Sequence, residues 1–272
     1  MEINNNQHHT LVFLLTLLLV SCSQSHETKK PKEIDRATKK EITTTSTDSI
    51  QPKKGKQILV GYYDNYENLP QLVFDSVSER EFNKLKASKF LRSIKPKQKG
   101  NDFYVETAVR THTFKKYKNY GEPKNWYGYQ LKGIYPALKL FVLTKNSTAD
   151  HLGFGELFLL DSVTDHQYVI SSIGDGSVET PIPSPNNQYF VYYDNTMYEL
   201  QNSDIRILKI NDKENPEKYL TEYAYFNSTE FAVEQIIWKS DQCFYVKGYK
   251  QIYDESSGQW FKEFKYYRTN FK

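Results

Sequence analysis

Where the aromatic residues fall limits where this chain can fold. Of 41 Phe, Trp and Tyr residues, 40 lie after Lys56, and only Phe13 precedes it. A segment without large apolar side chains buries too little surface to offset the entropy lost on ordering, about 1–2 kcal/mol per residue for the backbone alone. The folded body is therefore expected over residues 57–272, enough for one large domain.

Charge breaks at the same place. The formal net charge is +3, yet residues 23–56 hold nine basic and five acidic side chains, whereas residues 57–272 hold 27 of each. A neutral body argues against a nucleic-acid binder, whose affinity rests on many phosphate contacts. Within the body, residues 84–118 carry eleven bases against Asp102 and Glu106, and residues 161–241 carry fourteen acids against five bases. Folding could segregate these runs into a dipolar surface or scatter them, because sequence neighbours in a β fold need not share a face. With only 2 Cys and 12 Gly, a disulfide scaffold and a collagen-like chain are excluded.

The body reads as strands. Runs rich in β-branched and aromatic residues start at Gln57, Asp102, Lys139, Glu156, Gln167, Gln188, Asp204, Gln242 and Trp260. They are bounded by polar turn clusters such as Ser184-Pro185-Asn186-Asn187. One helix is expected, opened by Ser78-Glu79-Arg80-Glu81 as a capping box, carrying Phe82 and Leu85 at helical spacing and ending before Pro96. The expected class is all-β, with antiparallel sheets arranged as a partial propeller or a sandwich and one short N-terminal helix.

Residues 10–20, TLVFLLTLLLV, form the one strongly apolar run, too short to span a bilayer that needs roughly 20 residues. Its length suits the apolar core of a signal peptide. The sequence Leu19-Val20-Ser21-Cys22 that closes it resembles the lipobox of bacterial lipoproteins. That resemblance implies cleavage before Cys22, a thioether from its sulfur to diacylglycerol, and acylation of the new amine. Residues 1–21 would then be the leader. Ser23 in place of Asp implies release to the outer membrane of a didermal bacterium. The leader departs from the pattern in having no Lys or Arg before the apolar run. After Cys22, the Lys-, Thr- and Ser-rich stretch to residue 56 reads as a disordered tether with a reach of roughly 30–35 Å. Two or more acyl chains hold a protein durably on a membrane, where one does so only marginally.

The turn Ser184-Pro185-Asn186-Asn187-Gln188-Tyr189-Phe190-Val191 is echoed by Lys239-Ser240-Asp241-Gln242-Cys243-Phe244-Tyr245-Val246. An earlier unit would run through Phe141 and Leu157. These turns are similar to those entering strands in the blades of TolB-like β-propellers, with Asn187 where that family usually has Gly. At about 45 residues per blade the body would hold four or five blades.

Chemistry-bearing residues are sparse. The pairs Asp150-His151 and Asp165-His166 flank one predicted hairpin. Neighbours on a strand point to opposite faces, so neither pair can chelate as a unit, and a metal site would need both pairs to converge. No G-x-S-x-G elbow is present. Cys243 is the only thiol besides Cys22 and reads as a buried core residue. The most suggestive stretch is YKNYGEPKNWYGYQLKGIY from Tyr117, read as a Gly- and Asn-rich loop that presents Tyr120, Trp126, Tyr127 and Tyr129 for stacking on a sugar or peptide. The same rings could instead fill a β core. The resulting expectation is a lipoprotein held on the envelope through Cys22. Its body would be a non-catalytic binding module for a glycan or protein, with no cofactor or metal. The alternatives are a hydrolase using Asp150, His151, Asp165 and His166, or an inhibitor or immunity lipoprotein.

Overall fold

Two adjacent apolar sets, one for each face, mark a strand buried on both sides. Leu157, Phe158, Leu159 and Leu160 form such a run, as do Tyr189, Phe190, Val191 and Tyr192, and all eight side chains are buried. In the computed structural model both runs are inner strands of sheets packed in a stack. The structure describes residues 55–61, 66–118, 127–149, 152–172, 176–196 and 202–271, all within the compact unit Ile50–Lys272.

The described strands are β1 (Gln57–Val60), β2 (Phe74–Val77), β3 (Lys97–Lys99), β4 (Asp102–Glu106), β5 (Thr111–Lys115), β6 (Tyr127–Tyr135), β7 (Leu140–Ala149), β8 (Leu152–Asp161), β9 (Gln167–Ile170), β10 (Ile182–Pro183), β11 (Tyr189–Asn195), β12 (Ser203–Ile210), β13 (Leu220–Ser228), β14 (Ala232–Ser240), β15 (Cys243–Asp254) and β16 (Gln259–Asn270). The fold is all-β. Sheet I is β3-β4-β5, sheet II is β1-β9-β8-β7-β6, sheet III is β10-β11-β12-β13 and sheet IV is β14-β15-β16-β2. Each is built from consecutive hairpins, and β1 and β2 alone join sheets assembled from later chain. The β1–β9 pair is parallel, a departure from the antiparallel expectation, because β1 reaches sheet II from outside its meander.

Three apolar layers hold the stack together. Phe103, Val105 and Phe114 of sheet I meet Leu143, Phe158, Leu160 and Val169 of sheet II. The other face of sheet II gives Leu140, Val142, Leu157 and Leu159 to Phe190, Tyr192 and Leu208 of sheet III. The other face of sheet III gives Val191, Ile205 and Ile207 to Ile236, Trp238, Phe244 and Val246 of sheet IV. Each fully buried large side chain is worth about 1.5–3 kcal/mol of transfer free energy.

The outer face of sheet IV is capped by the expected helix, α1 (Glu79–Phe82), whose Phe82 packs with Ile237, Cys243 and Tyr245. Ser78 caps it by accepting from the Glu81 N–H at 3.2 Å. Glu81 itself accepts from the Tyr245 hydroxyl at 2.7 Å, so its carboxylate serves the sheet contact. The helix has one turn, because Leu85 already belongs to the packed segment beyond it. Cys243 is buried here, and burial pushes its thiol pKa up.

The two echoing turns join β10 to β11 and β14 to β15, and they touch. Asp241 accepts from the Asn186 backbone N–H at 2.9 Å and from its side-chain amide at 2.7 Å. Asn187 sits at φ 56°, the left-handed conformation that Gly or Asn supplies. Among the described residues no helix is long and apolar enough to cross a membrane.

The layers are also pinned by charge at the β8–β9 turn. Asp161, 1% exposed at its side chain, pairs with Lys213 of the β12–β13 loop at 2.6 Å, and the same ammonium donates to the Leu138 carbonyl. Its other oxygen accepts from the Val163 and Thr164 N–H groups. Four residues on, fully buried Asp165 faces sheet I, bonded to His112 and Thr107 and paired with Arg110 at 2.8 Å. Burial pushes the Asp165 carboxyl up. The hydrogen bonds from His112 and Thr107 and the charges of His112 and Arg110 outweigh it and hold the group below the usual carboxylate range. A depressed folded pKa contributes stability that is present above the unfolded value of about 3.9 and lost as pH falls through the folded value. Asp165→Asn is thus expected to destabilise the body at pH 7, with the gap to the parent narrowing below about pH 4, as read by urea-unfolding midpoints across pH.

Candidate functional site

Sheet I covers only part of the sheet II face it packs on. The register sets Leu131 opposite Leu143 and Phe158, Tyr129 opposite Lys145 and Glu156, and Tyr127 opposite Ser147 and Phe154. These rows share one face, since residues two apart on a strand point the same way. Leu131, Leu143 and Phe158 lie under sheet I. Tyr129 stands at the margin, and Tyr127 and Phe154 lie beyond it, 47% and 38% exposed.

The sequence reading of residues 117–135 as a loop is corrected over β6, which is a nine-residue strand. Gly128, there taken as loop punctuation, is a strand glycine at a backbone crossing. A Cβ at this position would lie 2.6 Å from the Lys116 carbonyl oxygen and 2.6 Å from the Tyr117 Cα. The crossing is fastened by the Tyr117 N–H donating to the Tyr129 carbonyl at 3.0 Å.

Of the four predicted ligand-facing rings, Tyr120 and Trp126 lie outside the described residues, as does Cys22. The two described rings are together but not equivalent. Tyr127 and Tyr129 meet edge to face at 5.8 Å. Tyr129 packs on Phe114 at 5.0 Å and on Phe158 at 6.2 Å, so it belongs largely to the core layer. Burial, then the neighbouring Tyr127 and Glu156, push its hydroxyl pKa up. Tyr127 keeps an open position, with the Lys115 ammonium 5.9 Å from its ring centroid. Sequence reasoning missed Phe154, Lys115 and Lys145. Phe154 was hidden because its neighbour across the sheet is fixed by register, and the run around it starts at Leu152, before the apolar stretch that was legible. The Lys145–Glu156 contact, at 4.0 Å and well exposed, adds little stability. The patch can stack a ring or a sugar face and supply a cation beside it.

The carboxylate and histidine candidates divide differently. Asp150 and His151 lie outside the described residues. Asp165 is turned into the sheet I contact, and its His112 partner stacks on Phe114. The His166 Nδ1 is buried with no hydrogen-bond partner among the described residues. Among those residues no group of three or more His, Cys, Asp and Glu is placed to hold a metal ion. The basic run falls on sheet I and the segment before it, whereas the described acids of the acidic run are spread over sheets II, III and IV and their connections. No protein-family model, curated protein or solved structure matches this chain.

Tyr127 and Tyr129 make opposite predictions. Tyr129→Ala is expected to cost about 2 kcal/mol of stability through lost packing, and Tyr127→Ala less than about 0.5 kcal/mol, both measured by chemical denaturation.

Proposed function

We propose that this protein is a lipid-anchored envelope lipoprotein whose body is a non-catalytic binding module. The anchor is the acylated Cys22 implied by the lipobox resemblance, and residues 23–56 are the tether. The outer membrane is the proposed location, with the serial hairpin sheets read as blade-like units. The observation that carries the binding reading is the end of sheet II that no described residue of sheet I covers, where Tyr127, Tyr129 and Phe154 share one face beside Lys115 and Lys145. A rigid sheet presents these side chains at low entropic cost, and the tether raises their local concentration at the envelope. A glycan stacked on Tyr127 is the favoured ligand class.

Two measurements test this reading. Mass spectrometry of the native product should find the mature chain beginning at a triacylated Cys22; a bare thiol refutes the anchor. Solubilised envelope polysaccharide should bind the purified protein, and Tyr127→Ala should weaken that binding at least tenfold with the unfolding midpoint unchanged. Equal binding by Tyr127→Ala refutes the site.

A further inference from the structure

A second uncovered aromatic face lies on sheet IV. β15 and β16 pair along their whole length, from Cys243↔Asn270 to Asp254↔Gln259. β14 accompanies β15 only as far as Tyr249, and β2 accompanies β16 only from Tyr266. The remaining two-stranded ribbon, residues 250–265, has no flanking strand among the described residues. It nevertheless exposes Tyr253 at 48%, Trp260 at 58%, Phe261 at 50% and Phe264 at 37%. An isolated ribbon gains little from showing such rings to water.

The two sides of the ribbon differ. Lys247, Tyr249, Gln251 and Tyr253 share a side with Trp260, Lys262 and Phe264, in the register Tyr249↔Phe264, Gln251↔Lys262 and Tyr253↔Trp260. This side continues the face whose Tyr245 and Tyr266 are covered by α1. Of the acids on its paired strands, Asp254 and Glu263 point the other way, and the third ribbon acid, Glu255, lies in the exposed turn between β15 and β16. At its margin Glu234 of β14 holds Lys262 at 2.6 Å. The Lys262 ammonium lies 3.9 Å from the Tyr249 centroid, and that of Lys247 lies 3.9 Å from the Phe264 centroid. Beside the face, a cavity of about 270 Å³ is walled by Glu234 to Trp238 and by Ala87, Ser88 and Phe90. The segment carrying Ala87 and Ser88 also bears exposed Lys84, Lys86 and Lys89, the start of the basic run.

We propose that this face is a second, reversible contact with an anionic lipid surface. Trp and Tyr settle at headgroup depth, and lysine stems run along apolar surface to place their charges at the phosphates. The cation–π pairs set rings and ammonium groups in one layer, which suits an interface that is apolar on one side and anionic on the other. Lysines lie over one face of Tyr249 and of Phe264. The inference rests on the envelope reading, since an acylated Cys22 would hold the body within tether reach of a bilayer.

The test uses the native mature product in vesicles of phosphatidylethanolamine and phosphatidylglycerol whose acyl chains are brominated. Quenching of tryptophan emission is expected, and Trp260→Phe should remove the quenched component, leaving the emission of the other two tryptophans, Trp126 and buried Trp238, unchanged. Lys247→Glu with Lys262→Glu should remove at least half of the quenching, and unchanged circular dichroism would show that both variants fold. Quenching that Trp260→Phe does not alter, or none at all, overturns the contact. So does a Trp260 emission shift given by soluble muropeptides but not by vesicles. Flotation of the vesicles reports the anchor separately. Protein that floats without Trp260-specific quenching overturns the ribbon contact and leaves the anchor standing. A bare Cys22 thiol with quenching retained at low salt supports the ribbon contact and overturns the anchor.

Discussion

Two carboxylates on one turn bear on three of the four sheets. Asp161 and Asp165 close the β8–β9 connection, with the Asp165 N–H donating to the Asp161 carbonyl at 3.0 Å. Asp161 holds Lys213 from sheet III, and Asp165 holds His112 and Arg110 from sheet I. Hydrophobic layers are non-directional and leave sheets free to slide. A buried carboxylate is costly to leave unpaired, so these two accept few arrangements of their partners. Asp165 takes φ 65° to make its contact, and the Ala108 N–H donating to the Ser162 carbonyl at 2.7 Å ties the same turn to sheet I.

A stack pinned in this way has internal layers that are complete and margins that are not. Sheets II and III are apolar on both faces, so their strands carry adjacent hydrophobic sets. Sheets I and II differ in extent, and sheet IV is longer along β15 and β16 than along its flanking strands. Both mismatches leave aromatic rows that begin inside a core layer and end in water. One row runs from Phe158 through Tyr129 to Tyr127. The other runs from Tyr245 to Tyr253 and Trp260. The same local patterning therefore yields a packed residue or an exposed one, according to whether a neighbouring layer reaches that row.

The nine apolar runs read from the sequence all lie on strands, because β-branched and aromatic alternation is a local property. β5, β13 and β14 were not legible, since Thr, Glu, Asn and Lys interrupt their apolar sets where one face meets solvent or a polar partner, and β2, β3 and β10, two to four residues long, are too short to show a pattern. β6 was misread because Gly128 and Gly133 resemble turn residues until the backbone that crosses them is known. The capping box at Ser78 was legible, but the single-turn length of α1 was not, because the helix ends where Leu85 meets sheet IV.

The sequence alone determined the all-β class, the position of the short helix and the presence of a turn at Asn187. Each follows from composition or from contacts within a few residues. Tertiary structure decided which rings are core and which are surface, and that Asp165 finds His112 rather than a second Asp-His pair. It also decided that β1 and β2 complete sheets II and IV. Those outcomes depend on register and layer extent between segments 50 to 190 residues apart, and no local pattern encodes such distances.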